Sequence, residues 1–245
     1  MPNVSYTEDT LKVYFNPIPH DYSQDYFTMV VTVGGDVTWT GTGNNVLYYS
    51  KDNGTTWSEP GVNITLSVNE GDKVLWKGET SPIDEDGIGN FGGGTDVRYT
   101  VEGNIMSLLF GDDFKTQTSL EDKGYIFYNL FYNNKGLTSA ENLSLSATTL
   151  ADSCYFYMFD GCTSLTTAPE LPATTLANSC YNTMFYGCTK LNYIKCLATD
   201  ISASVCLYSW VTNVASTGTF VKNPNMSSWP TGKSGIPSGW TVVDG

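Results

Sequence analysis

The chain has little charge and less of it basic. Charged residues make up 15% of 245, with 12 Lys and Arg against 25 Asp and Glu, a net charge of -13 and an isoelectric point near 4.2. A surface that repels phosphate is a poor match for DNA, RNA or an anionic membrane, so nucleic acid is not an expected partner. There is a single histidine, His20, and no CxxC pair, which removes the common zinc patterns. No window approaches the length of an apolar membrane span, and membrane insertion is not expected. The opening residues, "MPNVSYTEDTLKVYFNPIPH", lack a basic segment followed by an apolar one. They are therefore expected to carry no signal peptide, which leaves a removed leader or another way out, such as a phage particle.

What is abundant points elsewhere. Tyr (16), Phe (11) and Trp (6) are set among Thr, Ser, Asn and Gly, a mixture suited to extended structure and neutral polar surfaces. A length of 245 residues allows one large or two modest domains. Residues 1–103 read as an all-β, sandwich-like domain. "DYFTMVVTVGGDVTW" is a strand and a Gly-Gly-Asp turn, "NNVLYYSKDNGTTWSEP" a hairpin with Asn53-Gly54 at its tip, and "NITLSVNEGDKVLWKGE" a pair joined at Glu70-Gly71-Asp72. "SPIDEDGIGNFGGGTD" follows as a glycine-rich loop.

Residues 104–215 repeat. Leu145 to Cys162 aligns with Leu171 to Cys188 at an offset of 26, matching Cys154 with Cys180, Tyr155 with Tyr181, Met158 with Met184, Phe159 with Phe185 and Cys162 with Cys188. Upstream, Ile126, Leu130, Phe131 and Asn134 fall on Cys154, Met158, Phe159 and Cys162; downstream, Cys206, Trp210 and Val211 fall on Cys180, Met184 and Phe185. Such recurrence predicts a stacked array. Within a unit, apolar residues at Cys154, Tyr155, Met158, Phe159 and Cys162 follow the spacing of a helix with one buried face. Thr148, Thr174 and Asp200 stand where N-caps belong, and Gly161 and Gly187 where a left-handed stop belongs. With the short β-segment "TSLTTAPEL" this gives a strand, a turn and a helix per unit, the element of an α/β solenoid. Residues 216–245, with Trp229 and Trp240, read as a C-terminal cap.

On a helix, Cys154 and Cys162 would stand about 12 Å apart at 1.5 Å per residue, too far for a disulfide. The six cysteines are therefore read as buried thiols acting as small hydrophobes, with only Cys196 and Cys206 left open as a pair. No metal ligands, cofactor or catalytic residues are expected. The acidic segment 84–96, with Asp84, Glu85, Asp86, Asn90 and Asp96, does not keep calcium-loop spacing and reads as a solvated loop, its calcium binding left open. "SKDNGTTW" places Ser50, Asp52, Gly54 and Trp57 in the pattern of the Asp-box hairpin that recurs in sialidase propellers, and a single copy reads as a stable turn. A glycan-active enzyme would instead need two carboxylates facing across a cleft.

"LPATTLANSCYNTMFYGCTKL", "CLATDISAS" and "WPTGKSGIPSGWTV" resemble the leucine-rich-repeat surface proteins of gut Bacteroides, relatives of the BspA-like repeats. Similar modules occur in phages of these bacteria. The resemblance implies a sandwich-like domain followed by a capped leucine-rich-repeat solenoid, at the cell surface or outside the cell, or in a virion. It implies a non-enzymatic adhesion module recognising a protein or glycan, with assembly into a virion or with surface proteins as the alternative. Exposed aromatic side chains, Tyr157, Tyr186 and Tyr193, are the expected partner-binding surface.

Overall fold

Strands rich in Val, Thr and Trp form wherever one side chain in two can be buried. In a computed structural model describing residues 20–43, 45–80, 85–93 and 95–245, seven strands build the first part. They are β1 (Phe27–Val33), β2 (Gly35–Gly41), β3 (Leu47–Ser50), β4 (Asn63–Val68), β5 (Lys73–Gly78), β6 (Gly89–Gly93) and β7 (Arg98–Asn104). The leader question, which rests on residues 1–19, and Asp84 of the acidic segment lie outside the described residues.

The pairing is not between sequence neighbours. β1 runs antiparallel to β5 and β7, while β2 runs antiparallel to β4 and β6, so the chain changes sheet at Gly34-Gly35 and again at Glu70-Gly71-Asp72 instead of folding back as hairpins. Part of the expected glycine-rich loop is strand β6. Glycine is what lets it approach, because a Cβ on Gly89 would collide with the backbone carbonyl of Thr40 in β2. The two sheets meet through Phe91, whose ring lies 4.7 Å from Trp39, 5.2 Å from Trp76 and 5.4 Å from Phe27.

The only α-helix among the described residues is α1 (Ser107–Phe110), continued by a 3-10 segment Gly111–Thr116. Beyond it come β8 (Leu137–Ser144), β9 (Thr167–Leu171), β10 (Tyr193–Cys196), β11 (Thr219–Lys222) and β12 (Thr241–Asp244). β8 joins β7 in parallel, completing a five-stranded sheet of order β3-β5-β1-β7-β8; β4-β2-β6 is a three-stranded sheet, and β12-β11-β10-β9 a four-stranded parallel one. The expected all-β sandwich followed by an α/β leucine-rich-repeat solenoid is therefore corrected. The five-stranded sheet is mixed, the repeats contain no helix, and three discrete open sheets replace one continuous curved sheet.

Where helices were expected, the chain forms ribbons of consecutive turns. Every fourth residue is left-handed: Tyr125, Asn129 and Asn133; Ser153, Tyr157 and Gly161; Ser179, Thr183 and Gly187; Val205, Ser209 and Asn213. A left-handed residue after each turn prevents helical winding and costs about 1–2 kcal/mol for a residue bearing a Cβ. Backbone bonding compensates. In the second ribbon the N–H groups of Cys154, Phe156, Met158, Asp160 and Cys162 donate three residues back, closing turns. Those of Ser153, Tyr155, Tyr157, Phe159 and Gly161 donate to Asn178, Cys180, Asn182, Met184 and Tyr186 of the next ribbon at 2.8–3.2 Å. The same alternation links the first ribbon to the second and the third to the fourth. Thr148, Thr174 and Asp200 accordingly cap no helix; Thr174 O accepts the N–H groups of Thr199 and Asp200, and Asp200 Oδ1 that of Ser202.

Side chains pointing inward stack in columns. Phe131, Phe159 and Phe185 lie ring over ring at 5.3 and 5.5 Å, and Phe127, Tyr155 and Tyr181 form a second column at 5.6 and 6.0 Å. Trp210 ends both, and Trp229 stacks on it at 6.2 Å. All six cysteines are free and buried. Burial pushes the Cys162 and Cys196 thiols up to about 12, and Cys162 and Cys188 donate to the Phe131 and Phe159 carbonyls at 3.0 Å.

One member of a column is imperfect. The Tyr155 hydroxyl is buried without a protein partner, whereas Phe127 fills the same place one ribbon earlier. Tyr155→Phe is expected to raise stability by about 1 kcal/mol, because it removes a desolvated donor without opening a cavity. Denaturant midpoints at unchanged slope would show it; a loss of stability would mean the hydroxyl is bonded to buried water.

Candidate partner-binding surfaces

Other side chains face outward from the ribbons, and several are aromatic. Tyr125, Tyr128, Tyr132, Phe156 and Tyr157 are half-buried or exposed. Their rings make one connected set, with centroids separated by 4.1 Å (Phe156–Tyr157) up to 6.4 Å (Tyr125–Phe156 and Tyr132–Tyr157). The bonded ribbons hold them, since left-handed Tyr125 and Tyr157 each donate their backbone N–H to the neighbouring ribbon. Of the tyrosines expected to meet a partner, Tyr157 belongs to this patch. Tyr186 is exposed on the third ribbon, at the position that Tyr132 and Asp160 hold in the first two, and Tyr193 sits in β10 between Thr167 and Thr219. Partial burial pushes the Asp160 carboxyl up to about 6. Tyr125, Tyr128, Tyr132 and Phe156 escaped the sequence reading because a helical register assigned no common outward face to them.

A separate surface, a cleft, lies on the first part. Ser50 Oγ donates to Asp52 Oδ1 at 2.7 Å and accepts from Gly54 N–H at 2.9 Å, and Thr56 donates to Asp52 through both N–H and hydroxyl, pulling the Asp52 carboxyl down to about 2. The turn so fixed carries Trp57 over the sheet, where its ring meets Tyr26 at 5.1 Å and the Lys77 ammonium at 4.3 Å. Asp112 accepts from Lys77 at 2.7 Å and from the Tyr26 hydroxyl at 2.6 Å, which lowers the Asp112 carboxyl; partial burial, and after it the bond to Asp112, raises the Tyr26 phenol to about 12. Glu59, Glu79 and Asp112 line one cleft with Tyr48, Trp57 and Lys77. A glycosidase acid needs a carboxyl raised by its surroundings; Asp112 is shifted the other way.

His20 pairs with Asp25 in an exposed position. In the acidic segment, Asn90 Nδ2 donates to Asn129 O at 2.5 Å while Glu85, Asp86 and Asp96 are exposed. Among the described residues no three His, Cys, Asp or Glu side chains converge as metal ligands, and no helix is long and apolar enough to cross a membrane.

Compared with known proteins, the chain matches no family model, no curated protein and no solved structure. The resemblance to BspA-like leucine-rich-repeat proteins is therefore corrected: the shared apolar spacing belongs here to turn ribbons and discrete sheets, and no family assignment follows from it.

Proposed function

We propose that the protein is a non-enzymatic binding module of adhesion type, displayed outside the cell, which captures a protein partner on the patch of Tyr125, Tyr128, Tyr132, Phe156 and Tyr157. The observation that carries this reading is the connected, outward-facing set of aromatic rings on a backbone whose amides are bonded from ribbon to ribbon. Tyrosine gives large contact area for two rotatable bonds, and aromatic side chains dominate the energetics of protein interfaces. Asn129, between Tyr128 and Tyr132, and Asn133, next to Tyr132, add neutral polar contacts without the desolvation cost of charge.

An array of extracellular-matrix and cell-surface proteins, probed with the intact protein, tests this. Tyr128→Ala and Tyr157→Ala are each expected to weaken capture of the same partner about 30-fold, the scale of a 2 kcal/mol interface hot spot. Tyr193→Ala, on β10, should leave it unchanged. Equal capture by all three variants, with melting temperatures preserved, would remove the patch from the assignment.

A further inference from the structure

The Trp57 cleft is independent of the aromatic patch and shares no residue with it. Its volume, about 410 Å³, falls in the range of small-ligand sites. Tyr48 and Lys77 are direct cross-strand partners on β3 and β5, so their side chains rise from one face of the sheet, and Trp57 closes over them from the locked turn. Asp112 is fixed from two sides by Lys77 and Tyr26, yet its side chain stays 66% exposed and keeps acceptor capacity toward solvent. Glu59 and Glu79 add two exposed carboxylates that accept no hydrogen bond from the described residues.

We propose that this cleft binds a neutral sugar unit of a glycan, the carboxylates of Glu59, Glu79 and Asp112 accepting from its hydroxyls, Lys77 donating, and the Tyr48 and Trp57 rings packing against its C–H surface. Preorganisation favours it, because the Lys77–Asp112–Tyr26 linkage orders acceptor and donor before the ligand arrives. An anionic sugar is disfavoured by three carboxylates against one ammonium that Asp112 already matches. A cationic ligand approaching the indole would meet the charge of Lys77, whose ammonium stands 4.3 Å from that ring, whereas a neutral C–H surface meets no such repulsion.

Calorimetric titration of the intact protein with neutral hexose, N-acetylhexosamine and deoxyhexose oligosaccharides tests the assignment, with spermidine as a cationic probe. At least one neutral oligosaccharide should bind. Its affinity should fall at least tenfold in Glu79→Gln, a change at an exposed side chain, and in Lys77→Met, and should be unchanged in Tyr128→Ala. Absence of binding by every neutral oligosaccharide at millimolar concentration would overturn the proposal. Binding equal in wild type, Glu79→Gln and Lys77→Met, or binding of spermidine alone, would do the same.

Discussion

Replacing Phe159 by alanine is expected to destabilise the protein by about 3–5 kcal/mol, the range for deleting a buried aromatic side chain. Phe159 is fully buried at the centre of its column, with Phe131 at 5.3 Å and 4° on one side and Phe185 at 5.5 Å and 11° on the other. The void would resist collapse. Phe159 donates its N–H to Met184 O at 2.9 Å, and Phe131 donates to Met158 O at 2.8 Å, so the three ribbons cannot close on the gap without breaking this bonding. Phe159→Leu keeps most of the volume and should cost under about 2 kcal/mol. Urea unfolding of the two variants at equal slope measures the difference; a loss below about 1 kcal/mol for alanine would mean that the column does not act as a continuous core.

The repeat unit was legible in the sequence but its conformation was not, and the reason is numerical. The ribbons have a period of four residues and a helix one of 3.6, so in a helix residues four apart drift by only about 40°. Cys154, Met158 and Cys162 span two such steps, and a drift of about 80° still leaves one apolar face. The register was therefore assigned correctly: Ile126 with Cys154, Leu130 with Met158 and Trp210 with Met184 occupy equivalent bonded positions. A usable signal lay on the opposite side of the period. Of the twelve left-handed positions, spaced four apart within each ribbon, eight are Asn129, Asn133, Ser153, Gly161, Ser179, Gly187, Ser209 and Asn213, types that tolerate left-handed backbone or favour turns over helix.

In the first part, strand content could be read but partners could not. Turn signals at Gly34-Gly35 and Glu70-Gly71-Asp72 look the same whether a chain reverses into a hairpin or passes to a facing sheet. Here Val31 of β1 donates its N–H to Asp72 O and accepts that of Gly71, so the second crossing is tied to β1 and delivers β5 to that strand instead of returning it to β4. The candidate surfaces follow the same division. The Asp52 turn is local and its residues were identifiable together, whereas Tyr26, Lys77 and Asp112 meet Trp57 only after β1, β5 and the 3-10 segment have packed.

Asn134→Ala should be as damaging as the loss of Phe159, for a different reason. The place that Cys162 and Cys188 hold in later ribbons is filled in the first by an asparagine only 2% exposed. Its Nδ2 donates to Phe91 O at 2.7 Å and to the Tyr99 hydroxyl at 2.5 Å, and its Oδ1 accepts the N–H groups of Gly136 and Leu137 at 3.0 Å each. One side chain thus joins the first ribbon to β6, β7 and the start of β8. Alanine would leave two buried N–H groups and a hydroxyl without their partner, and with about 1–3 kcal/mol for each unsatisfied group the expected loss is about 3–5 kcal/mol. Asn134→Cys separates bonding from packing, since it restores the residue type of the other ribbons and fills much of the space. If hydrogen bonding dominates, cysteine should be nearly as destabilising as alanine, and amide exchange at Gly136 and Leu137 should accelerate in both variants. Recovery of stability by cysteine alone would show instead that the asparagine acts by volume, and that the join between ribbon and sheets rests on the ring contacts of Phe131 with Phe27 and Phe91.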